Sequence, residues 1–147
     1  MDDYRINSLS ELLLNGVVDA GILADHYGQL KRTGKYLVNK YGSKAAEGTD
    51  DYYHALAQCI LGKMGDTDSK IGLFLGEAKE HTFDRVRNKE SFGGHLSDEE
   101  FEKDIQNDLQ KNEYGATMGR ENRNNTIPCW MLLDHLRTKN MKNENIR

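Results

Sequence analysis

The sequence predicts an all-α protein, a bundle of four main helices with a short extra C-terminal helix, and three observations carry that prediction. Apolar residues recur in alternating steps of four and three over long stretches, the period of a helix stripe. Ser8 with Glu11 and Ser97 with Glu100 have the spacing of capping boxes, which open helices. A single Pro, Pro128, among 147 residues with 14 Gly argues against turn-dense all-β designs and leaves room for long helices. A chain of this length can bury a full core, so residues 1–138 read as one helical-bundle domain and 139–147 as a frayed tail.

The first helix follows the Ser8 box, and Leu9, Leu13, Gly16, Ala20, Leu23, Tyr27, Leu30, Gly34, Leu37 and Tyr41 mark its apolar side. Gly16, Ala20, Ala24 and Gly28 recur every fourth residue, a pattern that lets another backbone approach closely, although Gly costs roughly 1 kcal/mol against Ala within a helix. Either this is a tightly packed core helix, or its amphipathic face, with Leu13, Gly16, Ala20 and Leu23, contacts a partner. A second helix is expected from Thr49 or Asp50, each able to cap it, to Gly65, with Tyr53, Leu56, Ile60 and Met64 on its apolar side. A third begins after Thr67 or Asp68 and runs to about Val86. Residues 88–96, with Gly93-Gly94, read as a loop. The Ser97 box opens a fourth helix carrying Phe101, Ile105 and Leu109, which Gly115 is expected to stop. Residues 120–125 read as a loop. Thr126 and Pro128 then start a short helix, Cys129 to Leu136, apolar nearly all round and centred on Trp130, which should be buried or docked on a partner.

Charge and hydropathy narrow the function classes. The net charge of -4 opposes sequence-independent binding to nucleic acid or anionic lipid. No run approaches the roughly 18 apolar residues of a membrane span, and the start, Met1-Asp2-Asp3-Tyr4-Arg5, lacks the basic and apolar regions of a secretory signal. The expected location is therefore cytoplasmic, or exported without a cleavable signal peptide. Cys59 and Cys129 lack CxxC spacing and read as two buried thiols in a reducing interior, ahead of a disulfide.

The chemistry-bearing residues fall in stripes. Asp50, His54 and Gln58 are four apart, as are Asp104, Asp108 and Asn112, which stacks each set along one side of a helix. Glu77 and His81 form another such pair, with Glu80 within a turn of both. Facing each other, these sides would gather His, Glu, Asp and Asn. The Glu-x-x-His repeat of bundle metal centres is missing, since Glu77-Ala78-Lys79-Glu80 has Glu at the His position, so no metal and no cofactor is assigned. The set is then either a hydrogen-bond network that fixes helix register, or an active site with candidates His54, Glu80, Asp108 and Asn112. Glu77, His81 and Asp84 read as a solvent-facing side. His54 and Cys59 lie about 140° apart round one helix and cannot pair, and GxSxG, P-loop and HExxH motifs are all missing.

Thr49-Asp50-Asp51-Tyr52-Tyr53-His54-Ala55 resembles the Asp-x-Tyr-Phe-His-Ala segment of serum amyloid A proteins. In the same order, Gly76-Glu77-Ala78-Lys79-Glu80 resembles that family's Ser-Asp-Ala-Arg-Glu, and the run from Asp108 to Gly115 resembles its Asp-Gln-Ala-Ala-Asn-Glu-Trp-Gly. The same skeleton is similar to C-terminal domains of bacterial Rhs-type polymorphic toxins, where a Cys often follows the His as Cys59 does here. The likeness covers about residues 50–120, and Asp50, His54, Glu80, Asp108, Asn112 and Gly115 are the matching positions. It implies a four-helix bundle of serum amyloid A type that self-associates and binds lipid through its N-terminal helix, and it implies no catalytic residue. The loop around 92–96 is longer here, and the Trp130 helix replaces a Pro-rich tail.

Two functions are expected from these readings. The first is a bacterial effector or interaction protein, delivered by a specialised secretion system, whose N-terminal helix and Trp130 segment bind a protein partner or lipid, homo-oligomers included, and not nucleic acid. The alternative is a toxin-type hydrolase using His54, Glu80 and Asp108, with or without a metal.

Overall fold

A computed structural model describes residues 2–84 and 97–147, with the side chains of 2–12, 82–84 and 98 left aside. The described chain is all-helical, with four long helices: α1 (Asp2–Tyr41), α2 (Thr49–Met64), α3 (Asp66–Ala78) and α4 (Asp98–Glu121). Three short pieces follow, α5 (Cys129–Leu132), a 3₁₀ turn (Asp134–Leu136) and α6 (Lys139–Asn143). No helix among the described residues is long and apolar enough to cross a membrane.

α1 begins at Asp2, before the Ser8 box. Gly42, at φ 108°, ends it by adopting a left-handed conformation that a side chain resists, and its N–H closes on Val38 O at 2.9 Å. α2 is capped by the left-handed Gly48 rather than by Thr49 or Asp50, and Gly65 takes the place expected of Thr67 or Asp68 ahead of α3. Ser97 caps α4 as expected, its hydroxyl accepting from the Glu100 N–H at 3.2 Å. The expected loop at 88–96, and the last residues of the third helix, lie outside the described residues.

The core is built on α2, buried on nearly every side through Tyr52, Tyr53, Ala55, Leu56, Cys59 and Leu61. Its main partner is α4, which Gly115 does not stop. The helix continues to Glu121 because Gly115 lies against the backbone of Ala55, where a Cβ would clash. Gly119 meets Cys59 O and Gly62 meets Ala116 O in the same way, so the two backbones touch along one small-residue seam. The stripe on α1 does not do this. A Cβ at Gly16 would meet nothing within 4 Å, Leu13 is 64% exposed and Val17 71%, and among the described residues α1 joins the apolar core through Leu37, with Leu30 packed against it.

Two further expectations are corrected at the C-terminus. Cys59 and Cys129 are joined in a disulfide, Cα atoms 6.0 Å apart, because Pro128 at the N-cap of α5 places Cys129 over α2. Residues 139–147 do not fray. Thr138 caps α6 through the Met141 N–H, Met141 is fully buried, and Arg137 donates twice to Ile146 O. Glu144 accepts from Tyr36 and Tyr41 and pairs with Lys40 Nζ at 2.6 Å. The Lys40 contact, followed by the two phenols, holds Glu144 down at about 2.

Candidate functional site

The polar stripes meet. Spacing of four along α2 and α4 puts Asp50, His54 and Gln58 opposite Asp104, Asp108 and Asn112, and the close glycine seam brings the stripes within side-chain reach. The third contributor comes from beyond α3, where residues Lys79–Asp84 form a π-helical turn. A π turn shifts helical register, a distortion that recurs at functional sites, and it carries the buried Glu80 here. His54, Glu80 and Asp108 each place one ligand-type atom within 4.8 Å of the others.

The imidazole is oriented by Asn112. His54 Nδ1 lies 3.2 Å from Asn112 Oδ1, an acceptor, so Nδ1 is the donor of this contact and Nε2 is the ring nitrogen turned toward the carboxyls. Nε2 faces Asp108 Oδ2 at 3.7 Å and Glu80 Oε1 at 3.9 Å, both beyond hydrogen-bond length. Asp108 Oδ1 is buried with no hydrogen-bond partner. Burial pushes the Asp108 carboxyl up to about 7, and the charges of Asp104 and Asp50 add to that, against the opposing pull of Glu80 and Lys79. Lys79 Nζ stands 3.4 Å from Glu80 Oε1 and 4.3 Å above the Tyr27 ring.

A cleft of about 370 Å³ opens beside this cluster, between α1, α2, α3 and α4. Leu23, Leu30, Leu75 and Tyr27 give it apolar walls, while His54, Gln58, Glu80 and Asn112 form its polar end. Gln58 Nε2 donates to Gly72 O at 2.9 Å, and its Oε1 is buried without a partner. Two glycines of α3 make room for these amides. A Cβ on Gly72 would lie 2.7 Å from Gln58 Oε1, and one on Gly76 2.8 Å from Asn112 Nδ2.

All four candidates, His54, Glu80, Asp108 and Asn112, therefore come together. Of the expected contact residues, Ala20 and Leu23 line the cleft instead of a flat face. Trp130 is half-buried against the core, with the Arg147 guanidinium 4.2 Å over its ring. Glu77 and His81 face solvent as expected. Sequence reasoning missed the roles of Tyr27, Lys79 and Gly72, and the Gly72/Gly76 spacing of four was the signal available for the glycine. A second carboxylate group, Asp50, Asp51 and Asp108, shares the Asp108 side chain, and Asn107 Nδ2 donates to Asp51 at 3.0 Å. No family model matches the chain, and neither a curated protein nor a solved structure matches it at a significant level.

Proposed function

We propose that this chain is a toxin-type hydrolase, with His54, Glu80 and Asp108 as its reactive groups and the adjoining cleft as its substrate site. One observation carries the reading: three helical segments bring an imidazole and two carboxyl groups within 4.8 Å, and His54 and Glu80 of that set line the polar end of an open, apolar-walled cleft. In this role His54 Nε2 takes a proton from the attacking water, Asn112 fixes the tautomer, and the paired carboxyls return a proton to the leaving group. The substrate has an apolar portion that seats against Leu23, Leu30 and Leu75. The fold assigned with this reading is the four-helix bundle of serum amyloid A type, in its bacterial toxin-associated branch. The Cys59–Cys129 disulfide supports exposure to an oxidising compartment, as export by a specialised secretion system supplies. Growth of bacteria making the chain in the cytoplasm or directed to the periplasm tests the proposal. Wild type should inhibit growth in one compartment, and His54→Ala should relieve it with an unchanged melting temperature. Relief that comes with a lowered melting temperature would contradict it.

A second reading, an interaction protein that binds a protein partner or lipid and self-associates, draws on a separate observation. Leu13, Leu14, Val17 and Val18 form an exposed apolar stretch on α1. Val17→Ser should then reduce vesicle binding or oligomer size while leaving stability unchanged. Unaltered binding and size would remove that reading.

A further inference from the structure

We infer that His54 Nε2, Glu80 and Asp108 form a binding site for one divalent transition-metal ion, with Asn112 as the positioning residue of the histidine ligand. The inference rests on the hydrolytic site proposed above for its location and adds the cofactor class; with an ion bound, His54 Nε2, Glu80 and Asp108 would hold it, and the ion, in place of free Nε2, would make the attacking water acidic.

Lone pairs lead to the ion. With Nδ1 against the Asn112 oxygen, His54 turns Nε2 toward two carboxyl oxygens at 3.7 and 3.9 Å. The three donor atoms lie within 4.8 Å of one another, close enough for one cation to reach all of them. A divalent ion bound at about 2.0–2.1 Å to each donor in a tetrahedral site spaces its donors by roughly 3.3 Å, so the two spacings from His54 Nε2 need contract by only about 0.4–0.6 Å. Asp108 supplies the independent observation: the residue is 95% buried, and its Oδ1 has no hydrogen-bond partner, an arrangement native interiors avoid unless an ion or ligand completes it. The histidine also has the outer contact that metal-bound imidazoles require, its second ring nitrogen held by an amide oxygen. One nitrogen and two carboxylate oxygens suit a borderline ion such as Zn²⁺ or Mn²⁺, and three protein ligands leave a position for water on the cleft side.

Chelator-treated protein with its disulfide intact should be titrated calorimetrically with ZnCl₂ and, separately, MnCl₂, and melted with and without each ion. One of the two salts should bind with a stoichiometry of one and raise the melting temperature. Glu80→Gln and Asp108→Asn should each remove that event, Asn112→Ala should weaken it 10- to 100-fold, and His81→Ala, an exposed histidine nearby, should leave it intact. No binding by the wild type, or binding indifferent to Glu80→Gln and Asp108→Asn, overturns the metal site. Growth inhibition lost in His54→Ala without any metal binding would leave the hydrolase standing and the metal wrong. Metal bound at the site with growth inhibition unaffected by His54→Ala would do the reverse.

Discussion

At the scale of single residues, the site depends on side chains held by absent ones. Gly76 leaves the space that Asn112 occupies, and Asn112 orients His54. Adding one methyl at Gly76 meets only the ends of two side-chain amides, Asn112 and Gln58, so Gly76→Ala should fold with at most about 1–2 kcal/mol lost. It should nevertheless turn Asn112 away from His54 and reduce function at least tenfold, which a growth-inhibition assay beside a thermal melt would reveal. Unchanged inhibition would remove Asn112 from the account. Asp19 offers a test away from the site. It is fully buried, and burial, reinforced by the Asp68 carboxyl, pushes it from 3.8 up to about 7. The folded state thus keeps a proton that the unfolded chain releases, so stability is fullest below about pH 4 and falls as pH rises through 7. The slope is at most about 1.4 kcal/mol per pH unit. Asp19→Asn should match the wild type near pH 4 and exceed it at pH 8. Melting curves that stay parallel across that range would contradict the assignment.

At the scale of elements, glycine has opposite meanings on α1 and α4. Sequence alone offered a small-residue stripe on α1 and read Gly115 as a helix stop, and nothing local says which glycine meets another backbone. Gly115→Ala puts a Cβ about 2 Å from Ala55 O, and backbone cannot yield as a side chain does, so a loss of about 3 kcal/mol or more is expected. Gly21 lies in α1 with nothing within 4 Å, and Gly21→Ala should raise stability by roughly 0.5–1 kcal/mol. Chemical denaturation of both variants decides the seam, since equal effects would place it wrongly. The i,i+4 polar stripes were legible because that period is local. The helix boundaries at Thr49 and Gly115 were not, because a left-handed glycine and tertiary packing outweighed the capping and stop signals there.

At the scale of the whole molecule, the long-range pairings were the part that local patterns do not encode. Cys59 and Cys129 are 70 residues apart, and their union depends on how the C-terminal cap lies on α2. Closing a loop of that length restricts the unfolded chain by an amount worth about 4 kcal/mol in the loop-entropy model, and measured values run about 2–4. Reduction, or Cys129→Ser, should lower stability by that much, and a melting temperature insensitive to reductant would show the bond does not form. The convergence of His54, Glu80 and Asp108 likewise emerges only from the assembled helices. The measurement that tests its role most directly is the melting temperature of chelator-treated Asp108→Asn. A carboxyl kept for function, buried with an unpartnered oxygen, should not be missed by the fold, so the variant should melt at or above the wild type. A fall of about 5 °C or more, what the loss of roughly 1–3 kcal/mol of a buried network produces at about 2–4 °C per kcal/mol, would make the cluster a structural device and contradict the account.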